Sequence, residues 1–147
     1  MRIQITQKPF NVSSNSRVLY KIIQLLLILY FSRGKKAPLS KIHLLVWVLD
    51  SKNRIELLLS SKKLDYSKSI GLWGIDKNTN KALLYMFEDE LCDISKKTYS
   101  LTDKGKEFIE EIIKNKEIFL EEKKLLKEVG VSLIEANIKK LENIWVM

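Results

Sequence analysis

Four residue types are scarce in this chain of 147 residues. It contains one cysteine, one histidine, two prolines and five glycines. The lone cysteine, Cys92, excludes an intrachain disulfide, so a reducing compartment, the cytoplasm, is the simplest expectation. One histidine and one cysteine cannot form a zinc site without carboxylates. Few glycines and prolines mean few tight turns, and this composition favours long helices.

Motifs that carry catalysis or cofactors are missing as well. The sequence has no glycine-rich phosphate loop, no Gly-x-x-x-x-Gly-Lys-Ser/Thr and no Gly-x-Ser-x-Gly. The acidic run 88–90 would point its carboxylates in different directions on a helix, so it predicts a solvated helix end rather than a metal site. We therefore expect a protein that is not an enzyme and that holds no metal and no cofactor.

A membrane-spanning segment is not expected either. The most apolar run, Val18–Phe31, has 14 residues and includes Lys21 and Gln24, whereas a span needs about 20 apolar residues. This run predicts a core helix that is buried on most sides. The first ten residues are polar and lack a continuous apolar core, so no secretory signal is expected.

Positive charge is concentrated in the first half of the chain. The formal net charge is +8; residues 1–77 hold 14 Lys/Arg and 4 Asp/Glu, whereas residues 78–147 hold 12 and 14. A basic half beside a near-neutral half suits contact with nucleic acid or with an acidic protein surface. A lysine-rich surface that only keeps the protein soluble explains the same numbers equally well.

Apolar periodicity predicts a mainly α-helical protein. Ile70–Ile75 is predicted to be a short strand. Cys92–Ile94 and Thr98–Leu101 alternate apolar and polar residues, and we expect them to pair as a hairpin joined by residues 95–97. Helices are expected at about 17–31, 39–50, 53–62, 79–90, 104–129 with a break near 115, and from about 133 to 144.

The order helix, hairpin, helix over residues 79–114 predicts one winged-helix unit. We expect a single domain over residues 1–147, with the wing hairpin at about 91–102 and a C-terminal helical extension at about 104–144. The expected fold class is therefore mainly α: a winged-helix domain with a small β-hairpin wing and additional N- and C-terminal helices.

The string Tyr99–Lys106 resembles the Tyr-x-Leu-Thr-x-Lys-Gly stretch that ends the wing in many bacterial winged-helix proteins. Tyr99 and Leu101 are expected to face the core, and Thr102 to cap the next helix. Gly105 would let another backbone approach closely. This string indicates the scaffold and says little about a ligand.

Two lysines at the tip of the hairpin, Lys96 and Lys97, are candidate nucleic-acid contacts. Winged helices often bind DNA with one helix in the major groove and a basic wing on the phosphates. The helix that would enter the groove, residues 79–90, becomes apolar and acidic towards its end, which opposes contact with phosphates. DNA binding thus stays an alternative, next to a turn that is merely solvated.

The helix at 39–50 carries candidate residues for a protein interface. His43 and Trp47 lie one turn apart and share a stripe, and Arg54 reaches the same side only if the next helix packs closely. Tryptophan in a partly polar stripe is favoured at interfaces. His43, Trp47 and Arg54 are therefore the candidate partner interface. The alternative is that Trp47 and Trp73 simply fill the core.

Stretches of the chain resemble one protein family in order and spacing. The first is Ser40–Ser51 with Asn53-Arg54, similar to a Leu-His-Leu-Leu-x-Trp-Ala-Leu run and a nearby Arg, with Val48 in place of the small residue. The second is Ile75–Leu83, similar to an Asp-Pro entry to an Arg-Ala-Leu helix, with Lys77 in place of the proline. These motifs precede the wing, which supplies the third.

The third stretch is the Leu-Thr-x-Lys-Gly end of the wing, with Leu133–Ala136 similar to a closing helix. Together the three stretches resemble the middle component of the ABC-three-component systems. These are bacterial antiphage loci related to Lamassu, in which a small protein is encoded with an ABC/SMC-like ATPase and an effector.

The resemblance implies a non-catalytic accessory subunit in the cytoplasm. Its partners would be the SMC/ABC-like ATPase subunit and the effector subunit, with DNA reached directly or through the complex and no membrane involved. A winged-helix transcription regulator that binds DNA is the main alternative. A toxin–antitoxin or phage regulatory module is a third, which a neighbouring toxin gene would favour.

Overall fold

The computed structural model describes residues 13–146, with side chains described over residues 17–142. The first ten residues, expected to carry no secretory signal, lie outside the described part. Within it the protein is mainly α-helical, as predicted, with a small three-stranded antiparallel sheet. The elements are α1 (Ser13–Phe31), β1 (Lys36–Pro38), α2 (Leu39–Leu49), α3 (Lys52–Lys63), α4 (Lys77–Glu88), β2 (Cys92–Ser95), β3 (Thr98–Leu101), α5 (Asp103–Lys114), α6 (Leu120–Val129) and α7 (Glu135–Val146).

Helix α1 forms the centre of the fold because most of its apolar residues are buried. All residues from Ile22 to Leu29 are buried, and the helix packs against α2, α4, α5, α6 and the sheet. A fully buried leucine or isoleucine contributes about 1.5–3 kcal/mol. The prediction of a buried core helix is confirmed. No helix among the described residues is long and apolar enough to span a membrane.

Strand β1 is an element that the sequence did not predict. It pairs antiparallel with β3, placing Ala37 opposite Tyr99, and β2 pairs with the other side of β3. The strand order is therefore β1-β3-β2. The three residues of β1 are too few to show a two-residue period, so only its distant partner reveals the strand. Pro38, its last residue, directly precedes α2.

The predicted strand at Ile70–Ile75 is wrong, because this segment is part of an irregular loop between α3 and α4. Two of its residues, Ile70 and Trp73, are buried at a spacing of three. That spacing does not fit the two-residue period of a strand. Gly71 has a φ of +108°, a backbone conformation that favours glycine. We call residues 70–75 the apolar loop.

The start of α5 matches the prediction made for the end of the hairpin. The Thr102 hydroxyl accepts a hydrogen bond from the backbone N–H of Gly105 at 3.0 Å, so Thr102 caps the helix. A Cβ on Gly105 would lie 2.1 Å from the carbonyl oxygen of Leu91. The close backbone approach expected at this glycine is therefore confirmed.

The hairpin is closed by a two-residue turn. Ser95 pairs with Thr98, and Lys96 and Lys97 both have positive φ angles, of 50° and 66°. Positive φ at both central residues defines a type I′ turn, which fits the twist of the strands but favours Asn-Gly. Lysine at these positions strains the backbone.

Lysine side chains supply hydrogen bonds at the C-terminal ends of helices, where glycine is scarce. An ammonium group there satisfies carbonyl oxygens that lack a partner within the helix and complements the helix dipole. Part of the lysine excess therefore stabilises the fold. The donor–acceptor pairs are Lys35 Nζ to Tyr30 O (3.4 Å), Lys41 Nζ to Gly130 O (2.6 Å), Lys62 Nζ to Glu128 O (2.7 Å), Lys104 Nζ to Asp89 O (2.8 Å), Lys123 Nζ to Asn115 O (2.5 Å) and Lys140 Nζ to Asp65 O (3.1 Å).

Candidate functional site

Trp47 and Arg54, two of the three candidate interface residues, are in direct contact. The Arg54 guanidinium lies over the Trp47 ring, with its Cζ 4.3 Å from the ring centroid. Its Nη1 also donates a hydrogen bond to the Trp47 carbonyl oxygen at 3.0 Å. The condition that α3 must pack closely is therefore met, because only Asp50 and Ser51 separate α2 from α3.

Trp73 completes a cluster around Trp47. The two ring centroids lie 6.4 Å apart with the planes tilted by 42°. A Cβ on Gly71 would lie 3.3 Å from Cη2 of Trp47, so the loop backbone passes close to this ring. Trp73 is buried and Trp47 is half-buried. We call Trp47, Arg54 and Trp73 the tryptophan cluster.

The outer side of the apolar loop is the most exposed apolar surface near this cluster. Leu72 is 68% exposed and Ile75 is 77% exposed. Two large apolar side chains held outward on a packed base are typical of an interaction surface. Leu72 and Ile75 were not among the residues predicted from the sequence, because the segment was expected to be a strand. The signal that could have found them is the pair Gly71 and Gly74, which interrupts the apolar run.

His43 lies in the interior and is only 5% exposed. Its Nδ1 accepts a hydrogen bond from the backbone N–H of Asp76 at 3.1 Å, and the side chain of Asn80 lies beside the ring. Burial lowers the pKa of His43, although Asn80 and Asp76 favour its charged form. An accepting Nδ1 requires the neutral imidazole with its proton on Nε2.

The bond from His43 holds the start of α4 in place. Asp76 caps that helix by accepting from the backbone N–H of Asn78, and its carboxylate lies 3.6 Å from the ammonium of Lys21. The role of His43 at an interface stays a prediction. In this conformation it acts through the position of α4 and not through an exposed surface.

The two hairpin lysines, Lys96 and Lys97, are both exposed. The Lys97 carbonyl oxygen accepts a hydrogen bond from the backbone N–H of Leu39 at 2.9 Å, which ties the tip to the start of α2. Beside the tip lies a cleft of about 230 Å³ that is also lined by Glu135 and Glu142 of α7. These carboxylates reduce the positive potential at the tip.

The outer face of α4 is the surface that a DNA-binding winged helix would place in the major groove. Lys77 and Lys81 lie on it at its start, but Leu84 and Phe87 are about half exposed further along. Ile94 of the neighbouring β2 is also about half exposed. Apolar side chains gain little next to phosphates, so this face is better suited to a protein.

Cys92, the only thiol, has a structural environment. It is buried, and burial together with the nearby Asp93 raises its pKa to about 12. A thiol that stays protonated is a poor nucleophile. Among the described residues, no group of three or more His, Cys, Asp or Glu side chains could hold a metal ion. The absence of enzymatic activity stays a prediction.

Compared with models of known protein families, with curated proteins and with solved structures, the chain matches none of them. A functional proposal therefore depends on the residues and on their arrangement.

Proposed function

We propose that this protein is a non-catalytic accessory subunit of a Lamassu-related antiphage complex in the cytoplasm. It docks onto an SMC/ABC-like ATPase that also engages an effector subunit. The observation that carries the proposal is the pair of exposed residues Leu72 and Ile75 in the loop that places Trp73 beside Trp47. Trp and Arg are enriched among the residues that dominate binding at protein interfaces, and exposed apolar side chains near them are typical of an interaction surface.

The position of the family-like stretches supports the same surface. The stretch Ser40–Arg54 forms α2 and the first turn of α3, and Ile75–Leu83 ends the apolar loop and begins α4. The two meet where Nδ1 of His43 accepts from the N–H of Asp76 at 3.1 Å. Two stretches that resemble the same family thus lie side by side, next to the exposed part of the apolar loop.

We also propose that the scaffold is a winged helix. Helices α1, α2 and α4, the strand order β1-β3-β2 and the β2–β3 hairpin support this assignment. On this view β2 and β3 form the wing, and α3 with the apolar loop is inserted before the helix that would face DNA. Helices α5, α6 and α7 form the C-terminal extension.

The test is co-purification of the tagged protein expressed from its native operon. We expect the ATPase to be recovered with the wild type, and recovery to fall at least about tenfold for Leu72→Asp/Ile75→Asp, because charges replace the apolar anchors. Val131→Asp/Ile134→Asp is the matched control, since Val131 and Ile134 are also exposed apolar residues, 53% and 44%, away from the cluster. Recovery of the wild-type protein without an ATPase would sink the proposal.

DNA-binding transcription regulation is the second candidate. It is favoured by Lys96 and Lys97, which hold a strained turn at an exposed tip, since strain of this kind is often found at functional sites. Gel shifts with the upstream region across a salt series decide it, because specific binding through phosphates weakens steeply with salt. If no specific complex forms even at low salt, this candidate is excluded.

A further inference from the structure

An open groove of about 640 Å³ lies between α3 and α6. Lys52 and Glu121, near the starts of the two helices, are 3.5 Å apart, and Lys62 and Glu128, near their ends, are 3.2 Å apart. These pairs show that α3 and α6 run in the same direction. We call the space between them the helix groove.

The floor of the helix groove is apolar. Ile55 and Leu59 of α3 are half-buried, and Leu125 of α6 is buried beneath them. Arg54, which belongs to the tryptophan cluster, lies on the other side of α3. It comes one position before Ile55 and five before Leu59, so on the helix it points about 100° and 140° away from them. The helix groove is therefore a surface separate from that cluster.

The two walls of the groove carry opposite net charge. The α3 wall has Lys52, Lys62 and Lys63 against Glu56, whereas the α6 wall has Glu121 and Glu128 against Lys124. The wall formed by α3 is thus net positive and the wall formed by α6 is net negative. An occupant that complements both walls needs an acidic edge and a basic edge on either side of an apolar stripe.

The ion pairs across the groove do not block such an occupant. The side chains of Lys52 and Glu121 are 81% and 63% exposed, and that of Glu128 is 58% exposed. Exposed ion pairs contribute little to stability. A partner that offers equivalent charges can therefore exchange with the Lys52–Glu121 pair at little cost. Lys62 is 33% exposed and also donates to the Glu128 carbonyl oxygen, so it stays in place at the end of the groove.

We propose that the helix groove binds an amphipathic helix of a partner protein. The apolar stripe of that helix lies on Ile55 and Leu59, its acidic edge follows α3 and its basic edge follows α6. From Lys52 to Lys62 the wall is about 15 Å long at 1.5 Å per residue, which suits a helix of about three turns. Its anchors are expected at positions i, i+3 or i+4, and i+7.

Shape favours a helix over a second copy of this chain. A helix is convex and can lie in the groove, whereas two copies related by a two-fold axis through this face would set groove against groove and leave both floors uncovered. This proposal does not depend on docking to the ATPase. The two surfaces are tested by different variants, so either proposal can fail alone.

The test uses synthetic peptides of about 14 residues that share one leucine stripe, matching a helix of three to four turns. One has glutamates on one edge and lysines on the other; the controls have glutamates on both edges or lysines on both. By fluorescence anisotropy we expect the mixed-edge peptide to bind the whole protein at least about tenfold more tightly than either control, a difference typical of a few matched charges. Leu59→Glu should abolish this binding, and Leu84→Glu should leave it unchanged.

A charge exchange gives a variant that keeps the fold. Lys52→Glu with Glu121→Lys preserves an ion pair across the groove, but it lowers the net charge of the α3 wall from +2 to 0 and raises that of the α6 wall from −1 to +1. The original charge difference between the walls is thereby lost, so the preference for the mixed-edge peptide should fall to within about twofold. Equal binding of all three peptides, or no binding at millimolar concentration, would overturn the proposal. So would self-association by light scattering that Leu59→Glu abolishes, since the occupant would then be a second copy.

Discussion

The tryptophan cluster and the hairpin tip are the two candidate binding surfaces, and they differ in the interactions that fix their side chains in place. At the cluster, Arg54 lies on Trp47 and the loop backbone packs against the same ring, so the exposed residues stand on a rigid base. At the tip, Lys96 and Lys97 project from a strained turn towards solvent. Exposed apolar side chains cost free energy in water, whereas exposed lysines do not. The cluster is thus the stronger indication of a partner.

The lysines also fall into two groups, those that donate hydrogen bonds within the fold and those that project into solvent. Several of them donate to carbonyl oxygens at helix ends, so their charge is engaged within the fold. These bonds leave the net charge of +8 unchanged, but Lys41 and Lys123 are buried and are not available for direct contact with a phosphate. Counting basic residues is a weaker guide to function than locating their partners.

Removal of the Trp47 ring should have the largest effect on the stability of the protein and on binding through the tryptophan cluster. Trp47→Ala takes away the ring under Arg54 and beside Trp73, and we expect a loss of about 3 kcal/mol in the free energy of unfolding. Urea denaturation measures this loss, and co-purification of the ATPase should weaken with it. Trp47→Phe is the control, because it keeps an aromatic ring. A folded Trp47→Ala protein that co-purifies the ATPase normally would count against this surface.

Lys41 gives the next largest effect and tests a lysine inside the fold. Burial, with a smaller contribution from Arg33, lowers its pKa from 10.5 to about 8. Between pH 8 and 10.5 the unfolded chain binds more protons at this lysine than the folded one, so stability rises with pH. Relative to Lys41→Met, the wild type should gain about 2 kcal/mol between pH 7 and 10.

The Lys41 measurement is a pair of urea titrations at each pH. Because Lys41→Met leaves every other titratable residue in place, the difference between the two proteins isolates Lys41. A difference that stays constant over this range would show that Lys41 is well solvated. The buried position of Lys41, with its hydrogen bond to the Gly130 carbonyl oxygen at 2.6 Å, would then be contradicted.

Reversal of the charge at Arg54 should have a moderate effect. Arg54→Glu removes the cation–π contact and the hydrogen bond to the Trp47 carbonyl, and it places a carboxylate near Asp50. We expect a loss of about 1–2 kcal/mol in stability and weaker co-purification of the ATPase. Arg54→Lys keeps the charge, so it should lose less stability and co-purify more of the ATPase than Arg54→Glu. Equal effects of the two substitutions would mean that the geometry of the guanidinium does not matter.

A change at the hairpin tip should have the smallest effect, and with the opposite sign. Lys96→Asn/Lys97→Gly supplies the residues that a type I′ turn favours, so stability should rise by about 1 kcal/mol. Thermal or urea unfolding measures the gain. Co-purification of the ATPase should not change, while any specific DNA binding should lose about two units of its salt slope. Loss of the ATPase from this variant would move the interface to the wing.

Several local features were predictable because neighbouring residues determine them. The bounds of α2 and α4 differ from the predictions by one or two residues, and the cap at Thr102 and the close approach at Gly105 are as expected. The hairpin was expected from alternation alone. Of the candidate interface, Trp47 and Arg54 do lie in contact, because the turn between α2 and α3 is short. Their role in binding a partner stays a prediction. His43 was placed on the correct stripe, but its burial could not be known.

Features that depend on distant partners were not predictable. Strand β1 has three residues and exists because β3 lies beside it, more than 60 positions later in the chain. In the apolar loop, Gly71 passes close to the ring of Trp47, a residue more than 20 positions earlier in the chain. Leu72 and Ile75 therefore emerged as site residues only once that packing was visible.

The sequence by itself determined the helices, the hairpin and the buried run of α1, since periodicity and capping act within a few residues. Tertiary structure decided which apolar residues stay outside and which lysines are engaged. Burial is settled by everything that packs on a residue, and those contacts come from elements far apart in the chain. Ile70 and Ile75 are the same type of residue in the same loop, yet Ile70 is buried in the core and Ile75 is exposed at the surface.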